Sequence, residues 1–337
     1  MKRFWRRLGL GLLILAAILV VAISFIIGWR PFLGPRARPL TDRKFEPTPD
    51  RLARGRYLAN SVSGCIYCHS EHDWKAEGGP VLEGKLGAGQ VFPLAGLPGT
   101  VVAPNITPDS ATGAGSWSDD QLARAIREGI GHDGRTLFPL MPYEHFRIMA
   151  DEDLASIVVY VRSLQPVPNS LPKTEIIFPV KYLIRNAPQP VTSPVAASNS
   201  TDPVTRGEYL AQISGCSDCH TLQKQGEPIA ALAFAGGFEL QGPFGTVTSA
   251  NITPDPSGIS YYDEKLFIQA MRTGKVGARS LNPIMPWFMM RNMTDDDLKA
   301  IFAYLRTLKP VHHRVDNTLP ATACKICQGK HGGGDQN

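Results

Sequence analysis

The chain has 337 residues, a formal net charge of +5 and a high share of Gly (32) and Pro (28). Its length suits two domains plus an extra segment, and 43% hydrophobic against 19% charged residues excludes a disordered chain. Nine Lys/Arg residues fall within positions 1–50 against three acidic ones, so the remaining body is close to neutral, which argues against a nucleic-acid partner.

In chain order, the first feature is Leu8 to Gly28, a run of 21 residues without a charge. At about 1.5 Å per residue this crosses a hydrocarbon core of about 30 Å. A cleaved signal peptide normally has a shorter apolar region and a small-residue cleavage site. Here Gly28-Trp29-Arg30-Pro31 follows, and Trp5 and Trp29 flank the run as interfacial anchors do. The reading is an uncleaved anchor (residues 1–30) followed by a juxtamembrane segment (31–50). Lys2, Arg3, Arg6 and Arg7 favour an inside N-terminus, but Arg30, Arg36 and Arg38 follow closely on the other side.

The body contains an internal repeat. Arg54-Gly-Arg-Tyr57-Leu-Ala and Ser63-Gly-Cys65-Ile-Tyr-Cys68-His69 return as Arg206-Gly-Glu-Tyr209-Leu-Ala and Ser214-Gly-Cys216-Ser-Asp-Cys219-His220. Asn105-Ile-Thr-Pro-Asp109 returns as Asn251-Ile-Thr-Pro-Asp255, and Met141-Pro142 as Met285-Pro286. The repeat predicts two homologous domains, 51–168 and 203–314, joined by a linker (169–202) rich in Pro, Ser and Thr and followed by a tail (315–337). Each domain should end in a helix, with Leu154, Ile157, Val158, Val161 and Leu164 on one face, and Leu298, Ile301, Phe302, Leu305 and Leu308 on the other copy's. Thr294 with Asp297 resembles a capping box, whereas the first copy has Ala150 and relies on Asp151 and Glu152. A further helix opens at Ser118-Asp-Asp-Gln121 and stops at Gly129, and another leads into each cysteine motif. No stretch shows convincing strand alternation, so both domains read as all-α with long loops.

Cys-x-x-Cys-His is the attachment signature of c-type haem: two thiols form thioethers with the vinyl groups and the adjacent imidazole takes the iron. A redox pair or half a zinc site would share the Cys-x-x-Cys, but no further pair of zinc ligands recurs with the repeat. The candidate attachment residues are therefore Cys65, Cys68 and His69, and Cys216, Cys219 and His220, holding two covalent haem c groups. The second axial ligand should also recur, which selects Met141 and Met285. His145 aligns with Met289, His132 has no histidine counterpart, and His72 lies too close to His69 to reach the opposite haem face.

These motifs, with the Met-Pro loop before a terminal helix, resemble class I cytochrome c domains. Over residues 51–312 the chain is similar to the diheme cytochromes related to cytochrome subunits of periplasmic sugar and alcohol dehydrogenases. The resemblance implies a fold in which first and last helices cross, with Gly55 and Gly207 permitting close approach and Tyr57, Tyr160, Tyr209 and Tyr304 at the crossings. It implies His69/Met141 and His220/Met285 as axial pairs. Many such subunits carry three haems, where this sequence has two motifs. The Asn-Ile-Thr-Pro-Asp loops read as structural turns beside the haem.

Cys324 and Cys327 are left over. Gln328 stands where a ligand histidine would be, so the pair reads as a local disulfide or as a metal site with His331, joined by His312 or His313. The expected protein is a single-pass bacterial inner-membrane protein, N-terminus cytoplasmic and haem domains periplasmic, since haem c is attached on that side. It would carry single electrons between a periplasmic or respiratory dehydrogenase and downstream acceptors, not catalyse bond chemistry. The alternatives are a diheme input subunit of a haem–copper (cbb3-type) oxidase or other respiratory complex, and a diheme peroxidase.

Overall fold

The computed structural model describes residues 2–337 apart from 77, 93, 95, 198–200, 225 and 243. Helix α1 (Lys2–Ala22) runs on as a wide turn through Ile27 and has no buried residue, as an apolar helix without protein around it must. A short α2 (Arg30–Leu33) follows. Helix α3 (Pro49–Tyr57) is started by the Thr48 hydroxyl, which accepts from Arg51 N–H, and by Pro49, whose missing N–H costs nothing there. It leads through a π-helical stretch, Leu58–Val62, to α4 (Cys65–Cys68). Helix α5 (Asp119–Glu128) has the full reciprocal capping box of Ser118 and Gln121 and ends at Gly129, as the sequence predicts. After α6 (Tyr143–Phe146) comes α7 (Asp151–Arg162), which has no side-chain cap at Ala150 but three acidic residues in its first turn.

Past α8 (Val180–Leu183) the same succession occurs again: α9 (Pro203–Ile213), α10 (Cys216–His220), α11 (Glu264–Thr273), α12 (Trp287–Met290) and α13 (Asp295–Thr307). Thr294 caps α13 through Asp297 N–H. Helix α3 packs on α7, and α9 on α13. At each crossing the backbones meet where one residue has no side chain: a Cβ on Gly55 would strike the Ser156 carbonyl, and one on Gly207 the Ala300 carbonyl. The apolar faces of α7 and α13 fill the core, with Leu154, Ile157, Leu298 and Ile301 all under 5% exposed.

The two crossings pack on each other through reciprocal contacts. Arg54 holds Asp153 of its own crossing with two hydrogen bonds (2.8 and 2.9 Å), and Arg206 holds Asp297 of the other (2.6 Å). Tyr57 then reaches across to donate to Asp297 (2.5 Å), and Tyr209 reaches back to donate to Asp153 (2.7 Å). Each tyrosine hydroxyl also accepts an N–H at the start of the opposite terminal helix, from Thr294 or Ala150. This self-complementary pattern is that of a two-fold interface, built inside one chain. Tyr57 and Tyr209 thus join the two crossings to each other, a correction to their expected place within them, while Tyr160 does lie against Gly55. Burial and the aspartate bond push the Tyr57 hydroxyl up to about 12, so it stays a donor.

Strands exist, contrary to the expectation of pure helix and loop, but as two-stranded ladders of two to four residues, too short to show alternation; the longest pairs Glu239–Gly242 with Gly245–Thr248. The segment predicted as a free linker is also structured. Glu175–Ile176 pairs with Gly99–Thr100, and α8 packs on α2. Its apolar residues give it something to bury, which composition by Pro and Ser concealed. Residues 198–200 of that linker lie outside the described residues. The segment predicted as juxtamembrane is strapped down by Arg38, which bonds Asp120 (2.6 and 2.7 Å) and Glu128 (2.7 Å), both almost fully buried.

Candidate functional site

Cys65 and Cys68 stand three residues apart on α4, so both thiols project from one face of a single turn, and α10 presents Cys216 and Cys219 likewise. Burial pushes all four thiols up, to about 11 for Cys68 and about 12 for the other three. Thiols of disulfide oxidoreductases are lowered instead, so these surroundings do not favour the thiolate of a redox pair.

His69 follows its cysteines directly, with Nδ1 2.8 Å from the Pro104 carbonyl; His220 Nδ1 lies 2.7 Å from the Ala250 carbonyl. Each Nδ1 therefore carries the proton and leaves the Nε2 lone pair for a metal, with the ring held in orientation. Neither Nε2 bonds any described residue, and burial lowers both histidines, keeping them neutral. Pro104 and Ala250 immediately precede the two Asn-Ile-Thr-Pro-Asp loops, whose asparagines bind their own Thr107 or Thr253 N–H and the chain after the terminal helix. The loops are turns, as read from the repeat, and their added task is to set the carbonyl that orients the histidine. The signal for it was available: a loop that recurs downstream of each recurring ligand, Asn105 after His69 and Asn251 after His220.

Met141 and Met285 sit half-buried against the core in matching turns, where Tyr143 N–H and Trp287 N–H donate back to the methionine carbonyls (2.8 Å each). The aromatic after each Met-Pro packs flat on the left-handed glycine ending the preceding helix, Tyr143 on Gly129 (φ 71°) and Trp287 on Gly274 (φ 65°). A Cβ there would enter the ring, so helix end and methionine loop are registered together. The rival histidines are otherwise engaged. His72 bonds the Gly79 and Tyr67 carbonyls, His132 stacks on Trp117 (4.2 Å), and His145 pairs with Asp218.

The segment after each Met-Pro turn reaches the other cysteine motif. His145 meets Asp218, inside Cys216–Cys219, and the Met289 sulfur lies against Gly64, just before Cys65. Between the motifs the Tyr67 ring stands 5.3 Å from Phe288 and 6.0 Å from Trp74.

The donors suit haem c, and so do buried polar atoms without protein partners among the described residues. The matched hydroxyls of Ser63 and Ser214, one step from each motif helix, and the Trp287 indole N–H are of this kind. The leftover pair, Cys324 and Cys327, is not joined to itself but lies with His331 and His313 in one cluster. His312 is not part of it and faces Asp255 at 3.4 Å.

Comparison with known proteins agrees in kind. Residues 204–309 match the cytochrome c family. The chain is 29% identical over 283 residues to the fructose dehydrogenase cytochrome subunit of Gluconobacter japonicus, covering 78% of this chain and 54% of that protein. It is 30% identical over 274 residues to the gluconate 2-dehydrogenase cytochrome c subunit of Pantoea cypripedii (76% and 59%). A diheme cytochrome c-type protein of Cereibacter sphaeroides is 26% identical over 266 residues (74% and 83%). The chain thus spans little more than half the length of the two dehydrogenase subunits.

Proposed function

With a cytochrome c domain at residues 204–309 and electron-transfer cytochrome subunits as its relatives, we propose that this chain is a membrane-anchored diheme electron carrier facing the periplasm. The two haem domains are copies of one another, each with its own haem c. Cys65, Cys68 and His69 hold one, and Cys216, Cys219 and His220 the other, with Met141 and Met285 as second axial ligands. The observation that carries this reading is the doubled arrangement of an imidazole tied at Nδ1 to a loop carbonyl, beside two thiols on one helical turn. Haem iron supplies one-electron oxidation and reduction, and His/Met ligation raises its potential. The chain's own residues orient the imidazoles and set the two motifs against one another.

Anchoring rests on more than hydropathy. The helix of Lys2–Ile27 is long and apolar enough to cross a membrane, and its end is tied to the body: Asn186 donates to the Ile27 carbonyl (3.1 Å) and Arg185 to that of Pro31 (2.8 Å). A removable leader has no use for such bonds. Phe32, Leu33, Ile177 and Phe178 are exposed around this joint, as befits a face resting on lipid.

The electron donor proposed is a dehydrogenase, as the relatives' names suggest. Haem stoichiometry tests the reading: alkaline pyridine spectra of the purified chain should give two haem c per polypeptide, and one after Cys216→Ser with Cys219→Ser. A single haem in the unaltered chain would refute it.

A further inference from the structure

The residues after α13 return to the second unit and bring four metal-binding side chains together. The ligand atoms of His313, Cys324, Cys327 and His331 all lie within 4.8 Å of one another, with three of the residues buried and Cys327 half-buried. The elements that place them are specific. His313 follows the last helix, its N–H donating to Ser257 Oγ (2.9 Å) and its carbonyl accepting from Asn251 (3.2 Å), so it is fixed to the second Asn-Ile-Thr-Pro-Asp loop. Ala321–Ala323 pairs antiparallel with Lys330–Gly332, which puts Cys324 just past one strand and His331 on the other. The six-residue turn between them closes with Cys324 N–H on the Gly329 carbonyl (2.9 Å) and passes through Gln328 at φ 60°.

The imidazoles decide what belongs in the middle. His313 Nδ1 is 2.9 Å from the Ala235 carbonyl, and His331 Nδ1 is 3.1 Å from that of Gly332. A carbonyl only accepts, so both protons sit on Nδ1 and both Nε2 atoms carry lone pairs. Those two Nε2 atoms face each other at 3.2 Å, and the Cys324 sulfur lies 3.6 Å from His313 Nε2. Bare lone pairs repel at that separation. A tetrahedral ion with bonds of about 2.0 Å to nitrogen and about 2.3 Å to sulfur requires ligand edges of about 3.3 Å for N–N and about 3.5 Å for N–S, which the His313–His331 and His313–Cys324 separations match. A disulfide between Cys324 and Cys327 would leave the convergence of two histidines unexplained.

We propose that His313, Cys324, Cys327 and His331 bind one zinc ion, closed to substrate and structural in role. Two thiolates and two imidazoles in tetrahedral array select zinc over metals that favour oxygen ligands or square geometry. The carbonyl acceptors on both Nδ1 atoms are the outer partners such a site needs. The ion staples residues 315–337 to the Ala235–Gly237 turn, where Gly236 N–H holds the His220 carbonyl at 2.7 Å. The site thereby fixes a loop that supports the second haem motif. It stands apart from the haem reading, since its four ligands include none of the attachment residues.

The test is elemental analysis of the full purified chain, with zinc counted separately from iron, together with zinc-edge X-ray absorption. One zinc per chain is expected, with two sulfur and two nitrogen neighbours. Denaturation with a chelator and an alkylating agent, without reductant, should label both Cys324 and Cys327 in the mapped peptide. Cys327→Ser and His331→Ala should each lower the zinc to a small fraction and open the tail to protease. Substoichiometric zinc, a different metal, or an unlabelled peptide lighter by two hydrogens would overturn the proposal, and these readouts need no variant to fold.

Discussion

The two helix crossings agree wherever the proposed haem chemistry is, and differ at their outer edges. Both have a glycine where backbones touch, an imidazole tied to the carbonyl before a repeated loop, and an aromatic seated on a helix-ending glycine behind the methionine. The first crossing, however, is strapped by Arg38 from the segment after the N-terminal helix, where the buried Asp120 and Glu128 take its guanidinium. Burial works against both carboxyls. Arg38 and Thr41 nonetheless hold Asp120 below the usual range, while Glu128 stays above its own. The second crossing has the histidine–cysteine cluster of the tail instead. What is shared serves the proposed cofactor and the contact between the crossings, and what is unshared fastens each unit to its own surroundings.

That contrast can be broken from the strongest contact downwards. Gly55→Ala and Gly207→Ala each force a methyl into a helix carbonyl across the crossing. Either should cost about 3 kcal/mol or more and lower the thermal midpoint; a tolerated alanine at either place would mean the crossings are not as close as described. Arg38→Met leaves two buried carboxyls without their cation, a loss of about 3 kcal/mol. It should loosen the first unit alone, read as faster hydrogen exchange in α5 with α11 unchanged. Tyr57→Phe and Tyr209→Phe each remove a charge-assisted bond, at about 1.5–3 kcal/mol, and the reciprocal geometry requires the two losses to be alike. Unequal losses would show that the interface is not symmetric.

The smallest effect depends on pH. The hydrogen bond to Asp218 raises His145 above its ordinary value of 6.5. Its contribution is thus complete below that value and is lost as pH rises through the higher folded one. His145→Met, which copies Met289, should be less stable than the unaltered chain at about pH 6 by under about 1 kcal/mol, the pair being partly exposed. The two should converge by about pH 9; a gap that widens with pH would contradict the pairing.

Much of this was readable from the residues. The repeat singled out the cysteines, histidines and methionines proposed as ligands, because a ligand set has to recur with its cofactor, and capping chemistry placed α5 and α13. Three things were hidden for physical reasons. Tyr57 and Tyr209 recur with the rest, yet a repeat does not say whether a shared residue serves its own unit or the other. The segment 169–197 carries turn-forming residues that masked its apolar anchors, Ile176 and Tyr182. His313 stands in sequence beside His312, and only the path of the chain after α13 shows which of the two turns inward.

The central claim, two haems each held by histidine and methionine, is tested most directly by redox titration of the haem bands in the unaltered chain, Met141→Ala and Met285→Ala. Two one-electron steps are expected in the unaltered chain, with each substitution lowering the potential of one step and sparing the other. A titration that neither substitution shifts would contradict the ligand assignment.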